Sequence, residues 1–417
     1  MSYVSNLRCL NCEATVDVSP FRYFCPDCGG FLDVEYDHQR MLAELSRSVF
    51  DSRRGTILEQ WLEFLPVERP DLIPRATLGE MPTPMLQAGR LPPPADRAQI
   101  WLKNDAMLPT GSLKDRSMPL VILKALELGR DAVGIVSSGN ASASLAAYAA
   151  HAGLRAVVFL GQNVPAGKLY KTMIHKPAGV QVLGPYTVAE GIFQGVRDAF
   201  GFFDCNGLVN PYRIEGKKTF AYETARDLGW RSPDVVFMPT GYGNGVVAAW
   251  KGFRELHHLG FIDSLPAMVA VQPAVCAPIA HAFDQGLTEV ASVPVAESIA
   301  EAVCINDPLV GGKRVLEVVR ESGGAVIAVG ESEIAQAVHI LAEREGLAME
   351  PTGAIALAGA LKLMREEHPW GDGVQVVSLT GIGLNDLQRG RALVGAPATV
   401  EPDLASAEQA LRGLLSG

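Results

Sequence analysis

The chain is short of positive charge: 36 lysines and arginines stand against 46 acidic residues, for a net charge of −10. No basic stripe is left to track a phosphate backbone, which excludes nucleic acid as an expected partner. Long apolar runs are missing too. None approaches the ~20 residues that a membrane span needs, so no membrane partner is expected. The opening stretch, MSYVSNLRCLNC, lacks the apolar core of a signal peptide. Seven cysteines in 417 residues are too few for a disulfide scaffold. A reducing, cytoplasmic setting is therefore the expectation. Internal repeats and low-complexity tracts are absent as well, and Pro92-Pro93-Pro94 reads only as a brief loop.

Length and a hydrophobic share of 48% leave room for two or three domains with cores of their own. Four of the cysteines form two CxxC knuckles, Cys9 with Cys12 and Cys25 with Cys28. They offer four thiolates to one tetrahedral zinc ion, and a closed shell of four makes the role structural. Gly29-Gly30 supplies the free backbone angles of the second knuckle. Strand-like runs at Thr15 to Val18 and Arg22 to Phe24 lie between the knuckles. Residues 1–36 thus read as a zinc-ribbon-like unit, or as a metal-free remnant of one. Residues 37–78 read as a helical arm, with Leu42, Leu45 and Val49, then Ile57, Trp61 and Phe64, at helical spacing.

From residue 79 to 400, strand and helix patterns alternate. Strands are expected at Ala98 to Leu102, Ala132 to Ser137, Ala156 to Leu160, Val235 to Pro239, Met268 to Gln272, Ala325 to Val329 and Val374 to Thr380. Helices are expected at Ser117 to Leu128 and Ala141 to Ala152. Such alternation is the mark of an α/β fold with helices layered on mostly parallel sheets. Ligands then bind where the carboxyl ends of strands meet helix N termini. Residues 401–417 read as a C-terminal helix.

Four motifs fall at such junctions. Lys114 lies in Pro109-Thr110-Gly111-Ser112-Leu113-Lys114-Asp115-Arg116, just after a Gly-Ser turn. A neutral lysine amine forms a Schiff base with a carbonyl and can shuttle protons. Burial and a neighbouring cation keep it poised near neutrality. Read alone, Lys114 is equally a surface lysine in a first helical turn. Pro239-Thr240-Gly241-Tyr242-Gly243-Asn244-Gly245 joins a strand to a helix over 246–256, and its N–H groups can converge on a phosphate. It has neither the Gly-Lys-Ser/Thr ending of a Walker loop nor the GxGxxG order of a dinucleotide fingerprint. In Ser137-Ser138-Gly139-Asn140-Ala141-Ser142, Asn140 could bond a phenolic oxygen, and the exposed N–H groups and hydroxyls could hold a carboxylate. An ordinary helix cap would use the same residues. In Leu379-Thr380-Gly381-Ile382-Gly383-Leu384-Asn385-Asp386, Thr380 could place its hydroxyl on a ring nitrogen, or the run is simply a glycine-punctuated turn. Together, in this order, the four point to pyridoxal 5'-phosphate (PLP) and to an enzyme acting on amino acids.

At this point the chain resembles the fold-type II PLP enzymes (the tryptophan synthase β-like superfamily), and within them the threonine synthase group. The likeness runs from the knuckles to about residue 390. Gly79-Glu80-Met81-Pro82-Thr83-Pro84 looks like the opening segment of that family. Pro109 to Arg116 is similar to its PTGSFKDR motif, and Ser138 to Ala150 to its asparagine loop. Asn210-Pro211-Tyr212-Arg213-Ile214-Glu215-Gly216-Lys217-Lys218-Thr219 resembles NPxRxEGQKT. Pro239 to Gly245, followed by Trp250-Lys251-Gly252, resembles its phosphate loop, and Thr380 to Leu384 its TGHGL element. Part of the group carries an N-terminal zinc ribbon.

The resemblance implies two three-layer α/β/α lobes, the smaller over roughly 118–205 and inserted in the larger. It implies that Lys114 carries the cofactor and that Asn140 contacts its phenolic oxygen. Gly241, Tyr242, Gly243, Asn244 and Gly245 hold its phosphate, and Thr380 its pyridine nitrogen. Ser138, Gly139, Ala141 and Ser142 lie near the substrate carboxylate. Lys168, Asn210 and Arg213 are candidates for a substrate phosphate, although Arg213 could instead pair with Glu215 or another acid. A homodimer is implied. The chain departs from the pattern at Leu108, at Lys171 in Gly167-Lys168-Leu169-Tyr170-Lys171, at Lys217 and at Ile382. Lys171 and Lys217 hint at an anionic substrate group if they point inward; otherwise they are surface lysines.

The implied activity is conversion of O-phospho-L-homoserine and water to L-threonine and phosphate. The alternative is replacement or elimination at Cβ of a serine, phosphoserine or threonine substrate, as in a cysteate synthase-like enzyme or a dehydratase. A further one is a binding protein that kept the fold.

Overall fold

In the computed structural model, which describes residues 2–92, 98–162, 164, 166–184, 186–366, 370 and 373–415, three sheets organise the chain. The loop expected at Pro92 to Pro94 continues into residues outside that set, as does the end of the C-terminal helix, described as Leu404–Leu415.

The first sheet is small and antiparallel. Strand β1 (Val4–Cys9) pairs with β2 (Thr15–Val16) on one side and β3 (Leu32–Tyr36) on the other. The strand expected at Arg22 to Phe24 is reduced to a single bridge between Phe24 and Phe31. The reason is that its aromatic neighbours are drawn to the body. Phe21 packs its ring 5.3 Å from Phe203 and 5.8 Å from Tyr212, and the Tyr23 hydroxyl accepts from the Asp204 N–H at 2.7 Å.

The arm is helical in short pieces, His38–Glu44, Arg47–Ser52, Ile57–Gln60 and Ile73–Ala76. Leu42 and Val49, expected on its packed face, are 55% and 44% exposed; Met41 and Phe50 are buried instead. The chain breaks between Leu45 and Ser46, both extended, so one helical period does not run through both pieces. Ile57, Trp61 and Phe64 are buried as their spacing suggests. Phe50 stacks on Trp61 at 5.5 Å and Phe64 meets Tyr222 at 4.6 Å, which fixes the arm to the body.

Two further sheets form the body. Strands β4 (Met85–Gln87) and β5 (Gln99–Asn104) begin the larger one. Strands β6 (Ala132–Val136), β7 (Arg155–Leu160), β8 (Ala178–Gln181) and β9 (Phe203–Asp204) make a four-stranded parallel sheet in the order β8-β7-β6-β9. Strands β10 (Val235–Pro239), β11 (Ala267–Pro273), β12 (Ala325–Val329) and β13 (Val374–Leu379) complete the larger sheet, ordered β12-β11-β10-β13-β5-β4. All its pairs are parallel except β4 with β5. Strands β6, β10 and β12 read as unbroken apolar runs, whereas β5, β11 and β13 bury the polar residues Lys103, Gln272 and Gln375. Helix Pro351–Arg365, opened by a proline at its first position, lays a buried Ala/Leu/Ile face on four of them.

Each of the four motifs leaves the carboxyl end of a parallel strand: β5, β6, β10 or β13. Among the described residues no helix is long and apolar enough to cross a membrane.

Candidate active site

Lys114 stands in a single helical turn, Leu113–Arg116, locked to the loop after β13. The Leu113 N–H donates to the Thr380 carbonyl at 2.9 Å, and the Ile382 N–H returns a bond to the Gly111 carbonyl at 3.0 Å. Asp115 accepts from the Thr110 N–H (2.6 Å), the Thr110 hydroxyl (2.7 Å) and the Ser144 hydroxyl (2.6 Å). Arg116, fully buried, forks onto Asp105 at 2.7 and 2.6 Å and onto Glu223 at 2.7 and 3.0 Å. The residues on the carboxyl side of the lysine are thus fixed, and the lysine side chain is left over.

Among the described residues no hydrogen bond or ion pair engages Lys114 Nζ. The residue keeps some accessible surface, as an amine that must meet a ligand requires. Burial nevertheless pulls its pKa down to about 8; the charge of Arg213 adds to the fall, and Glu350 and Asp115 oppose it. On the order of a tenth of such amines is neutral at pH 7, far more than for a free lysine.

The glycine loop after β10 leads into helix Asn244–His258, with Gly243 at the cap in the left-handed region, φ 82°. A Cβ at Gly243 would stand 2.2 Å from Val315 Cγ2, and one at Gly241 2.8 Å from Ile305 Cγ1. The backbone must therefore be bare, and its N–H groups and the helix dipole converge on one place. Tyr242, Asn244 and Gly245 are half-buried around it. Ser138, Gly139, Asn140 and Ala141 are half-buried at the start of helix Asn140–Ala152. Ser142 is buried, and its hydroxyl donates to the Gly139 carbonyl at 2.8 Å and meets the Thr172 hydroxyl at 3.0 Å. Thr380 is buried at the end of β13, its hydroxyl 3.5 Å from the Thr352 carbonyl.

Sequence reasoning gave no part to Glu350. Its carboxylate accepts from Asn140 Nδ2 at 2.9 Å and lies against Gly381, where a Cβ would stand 2.2 Å from Oε1. Burial raises it to about 7, against the pull of Lys114 and Lys168. It stands at the N-cap position of helix Pro351–Arg365 without a side-chain cap bond, and an acid before a helix-opening proline is a legible helix start. Its contact with Asn140 spans 210 residues and has no local signal.

The substrate-side candidates divide. Lys168 pairs with the carboxylates of Glu301 and Asp386. Asn210 is fully buried, its amide donating to the Asp204 carbonyl at 2.8 Å and accepting from the Tyr212 N–H at 3.0 Å. Lys171 points inward, but to the Thr110 carbonyl (2.5 Å) and Asn385 Oδ1 (2.6 Å), a tie between loops. Arg213 and Lys217 are buried, and Glu215 turns away from Arg213 to Lys218 and Lys251, both at 2.7 Å. A cleft of about 800 Å³ beside the small sheet, lined by His38, Lys251, Arg254 and Arg314 among others, is separate from all of these groups except that Lys251 bond.

A lysine poised near neutrality and a bare helix N terminus, both at the carboxyl ends of parallel strands of one sheet, suit an enzyme that holds a phosphorylated aldehyde. A model of the family described as "Pyridoxal-phosphate dependent enzyme" matches residues 76–381, and the chain belongs to that family. It is 34% identical over 408 residues to the threonine synthase of Methanocaldococcus jannaschii, covering 98% of this chain and 99% of the relative. The threonine synthase of Methanosarcina acetivorans is 32% identical over 409 residues with the same shares, and that of Mycobacterium tuberculosis strain H37Rv 37% identical over 311, covering 74% of this chain and 83% of the relative. The fold matches maize serine racemase with a TM-score of 0.62 at 19% identity, over 80% of this chain and 92% of that one. A fungal L-serine ammonia-lyase from Rhizomucor miehei gives 0.62 at 19%, over 75% and 98%.

The cradle carries a prediction. Gly243→Ala forces a side chain into left-handed backbone and onto Val315. It is expected to cost about 1–3 kcal/mol locally and to weaken cofactor retention. Thermal unfolding with and without added PLP reads both; an unchanged PLP affinity would show that the loop does not hold the phosphate.

Proposed function

We propose that the chain is a threonine synthase, converting O-phospho-L-homoserine and water to L-threonine and phosphate. The observation that carries this reading is near full-length similarity to threonine synthases, together with a free lysine at the PLP-family site. The groups fit the cofactor. Lys114 Nζ would join its aldehyde carbon, the backbone of Gly241 to Gly245 its phosphate, Asn140 its phenolic oxygen and Thr380 its ring nitrogen. When bound, PLP supplies the electron sink that makes carbon acids next to the amino group accessible.

The chain's own residues do the rest. Lys114 would take the Cα proton of the bound substrate as a neutral amine and return a proton as an ammonium. A second proton leaves Cβ, the C–O bond at Cγ breaks, and phosphate departs with its electron pair. Cγ gains a proton, the oxygen of water bonds to Cβ as one of its O–H protons passes to the departed phosphate, and Cα is reprotonated by Lys114. The N terminus of helix Asn140–Ala152, with Ser138 and Gly139, would receive the substrate carboxylate. Glu350 holds the Asn140 amide in place. The test is turnover of O-phospho-L-homoserine, phosphoserine, serine and threonine with all products measured. Threonine and phosphate in equal amounts from the first supports the reading; pyruvate, ammonia or a Cβ-substituted product from the others replaces it.

The four knuckle sulfurs form a cluster with all ligand atoms within 4.8 Å of one another. Cys9 and Cys28 sulfurs are 3.4 Å apart and those of Cys12 and Cys25 3.8 Å. Tetrahedral thiolates at ~2.3 Å from zinc stand about 3.8 Å apart. The Gly30 N–H, then the Asn11 amide, pull the Cys28 thiol down to about 6. We read this as a structural zinc site. The ribbon braces helix Tyr212–Lys217: the Tyr36 hydroxyl donates to Glu215 at 2.5 Å, and Lys251 bridges Asp33 (2.9 Å) and Glu215 (2.7 Å). Elemental analysis is expected to find one zinc per chain, and chelation to expose residues 1–36 to proteolysis and lower the thermal midpoint. A metal-free chain indifferent to chelators would remove zinc from the account. A cytoplasmic homodimer completes the reading.

A further inference from the structure

Two buried cations beside Lys114 are in no ion pair among the described residues. Arg213 is 2% exposed and Lys217 5%, and they lie one turn apart on the same face of helix Tyr212–Lys217. Among the described residues the only hydrogen bond of the Arg213 side chain is a weak one from Nη1 to Met118 Sδ at 3.4 Å, and its Nε is buried without a partner. Among the described residues no carboxylate pairs with either side chain; the acid on their own helix, Glu215, is taken by Lys218, Lys251 and Tyr36. The helix is pressed against the lysine-bearing segment, since a Cβ on Gly216 would stand 2.5 Å from both the Arg116 carbonyl and Ser117 Cα.

A buried, unpaired cation is costly. Burial pushes the Lys217 amine well down, and the charges of Arg213 and Lys114 push it further; burial brings Arg213 down to about 10. Two such groups kept side by side in the interior form a pair that an anion would complete. An arginine fork next to a compact ammonium suits the oxygens of a phosphate monoester dianion. Lys217 is also where this chain departs from the EGQKT pattern, so the second cation is its own feature.

We propose that Lys217 is a specificity residue that, with Arg213, receives the distal phosphate of the substrate in front of Lys114. This rests on the threonine synthase reading. The cofactor carries the same chemistry in its own phosphate, so the test must separate the two.

The experiment compares the PLP-loaded full chain with Lys217→Gln. KM for O-phospho-L-homoserine is expected to rise about tenfold to a hundredfold, the worth of a lost charge-assisted bond, with kcat retained. Inhibition by inorganic phosphate, competitive with the substrate, weakens by the same factor. Lys217→Arg keeps most of both, and the affinity for PLP is unchanged. Unchanged KM and phosphate inhibition overturn the proposal, as does a loss of PLP affinity in their place, which would assign the pair to the cofactor. Should Lys217→Gln fail to fold, the unaltered holoenzyme decides: phosphate that does not compete with substrate sinks the idea. If neither protein makes threonine, the functional reading fails separately. Calorimetric titration of both holoenzymes with inorganic phosphate then still decides the anion site, tighter binding to the unaltered protein supporting it and equal binding ending it.

Discussion

Lys114→Ala abolishes turnover: kcat/KM is expected to fall by at least about a thousandfold, since proton transfer by a positioned group alone contributes roughly 10²–10⁴. The substitution removes one atom with two duties, the covalent hold on PLP and the exchange of the Cα proton. It should leave the fold intact. No hydrogen bond or ion pair is lost with Nζ, while Asp115 and Arg116, which anchor the segment, stay in place. Removing a partly buried cation even relieves a desolvation cost. The apoprotein variant should therefore unfold at or slightly above the temperature of the unaltered apoprotein, with the visible absorbance of the bound cofactor gone. Activity within tenfold of the original would mean that another amine serves the site.

Arg116→Leu is expected to do the reverse, breaking the fold while touching no ligand. Arg116 satisfies Asp105, Glu223, the Thr83 hydroxyl at 2.8 Å and the Thr219 hydroxyl at 3.2 Å, all buried. Lys103 holds the other side of the cluster, bonding the Thr83 carbonyl at 2.8 Å and Glu223 at 3.0 Å. Burial alone would raise Glu223, but Arg116 and Lys103 hold it at about 2. With the guanidinium gone, two carboxylates remain in the interior, Glu223 beside Lys103 and Asp105 with no cation among the described residues. Breaking such a buried pair from one side costs about 3–5 kcal/mol. Thermal unfolding of the apoproteins measures it. Because Asp105 is then the stranded charge, while Glu223 keeps Lys103, adding Asp105→Asn should cost less in the Arg116→Leu background than alone, a coupling of the two sites. Strict additivity would show that the cluster does not act as a unit.

The two variants mark what the amino-acid order discloses and what it hides. Strands β10 and β12 are legible to the residue, because each is a continuous apolar run closed by polar or glycine-bearing loops. The ribbon strands β1 and β3 are not. Their one-sided burial alternates with polar residues, and the aromatic run between the knuckles looks more strand-like but is claimed by Phe203 and Tyr212. Leu42 and Val49 mislead because a chain break resets the helical phase. At the site, the loops and their strand ends can be read directly, since glycine, a lysine and a helix start leave local marks. Partnerships cannot. Asn140 with Glu350, Arg116 with Glu223 and the empty flank of Arg213 are all tertiary facts. Lys168 and Asn210 show the cost: both have the right chemistry for a phosphate, and in the fold each is bonded to protein groups.

The account turns on which nitrogen holds the cofactor. Borohydride reduction of the PLP-loaded chain makes that bond permanent, and peptide mass spectrometry then locates it. Label confined to Lys114 is the predicted result. Label on Lys217, the other buried amine beside it, or on a surface lysine with Lys114 unmodified, would contradict it.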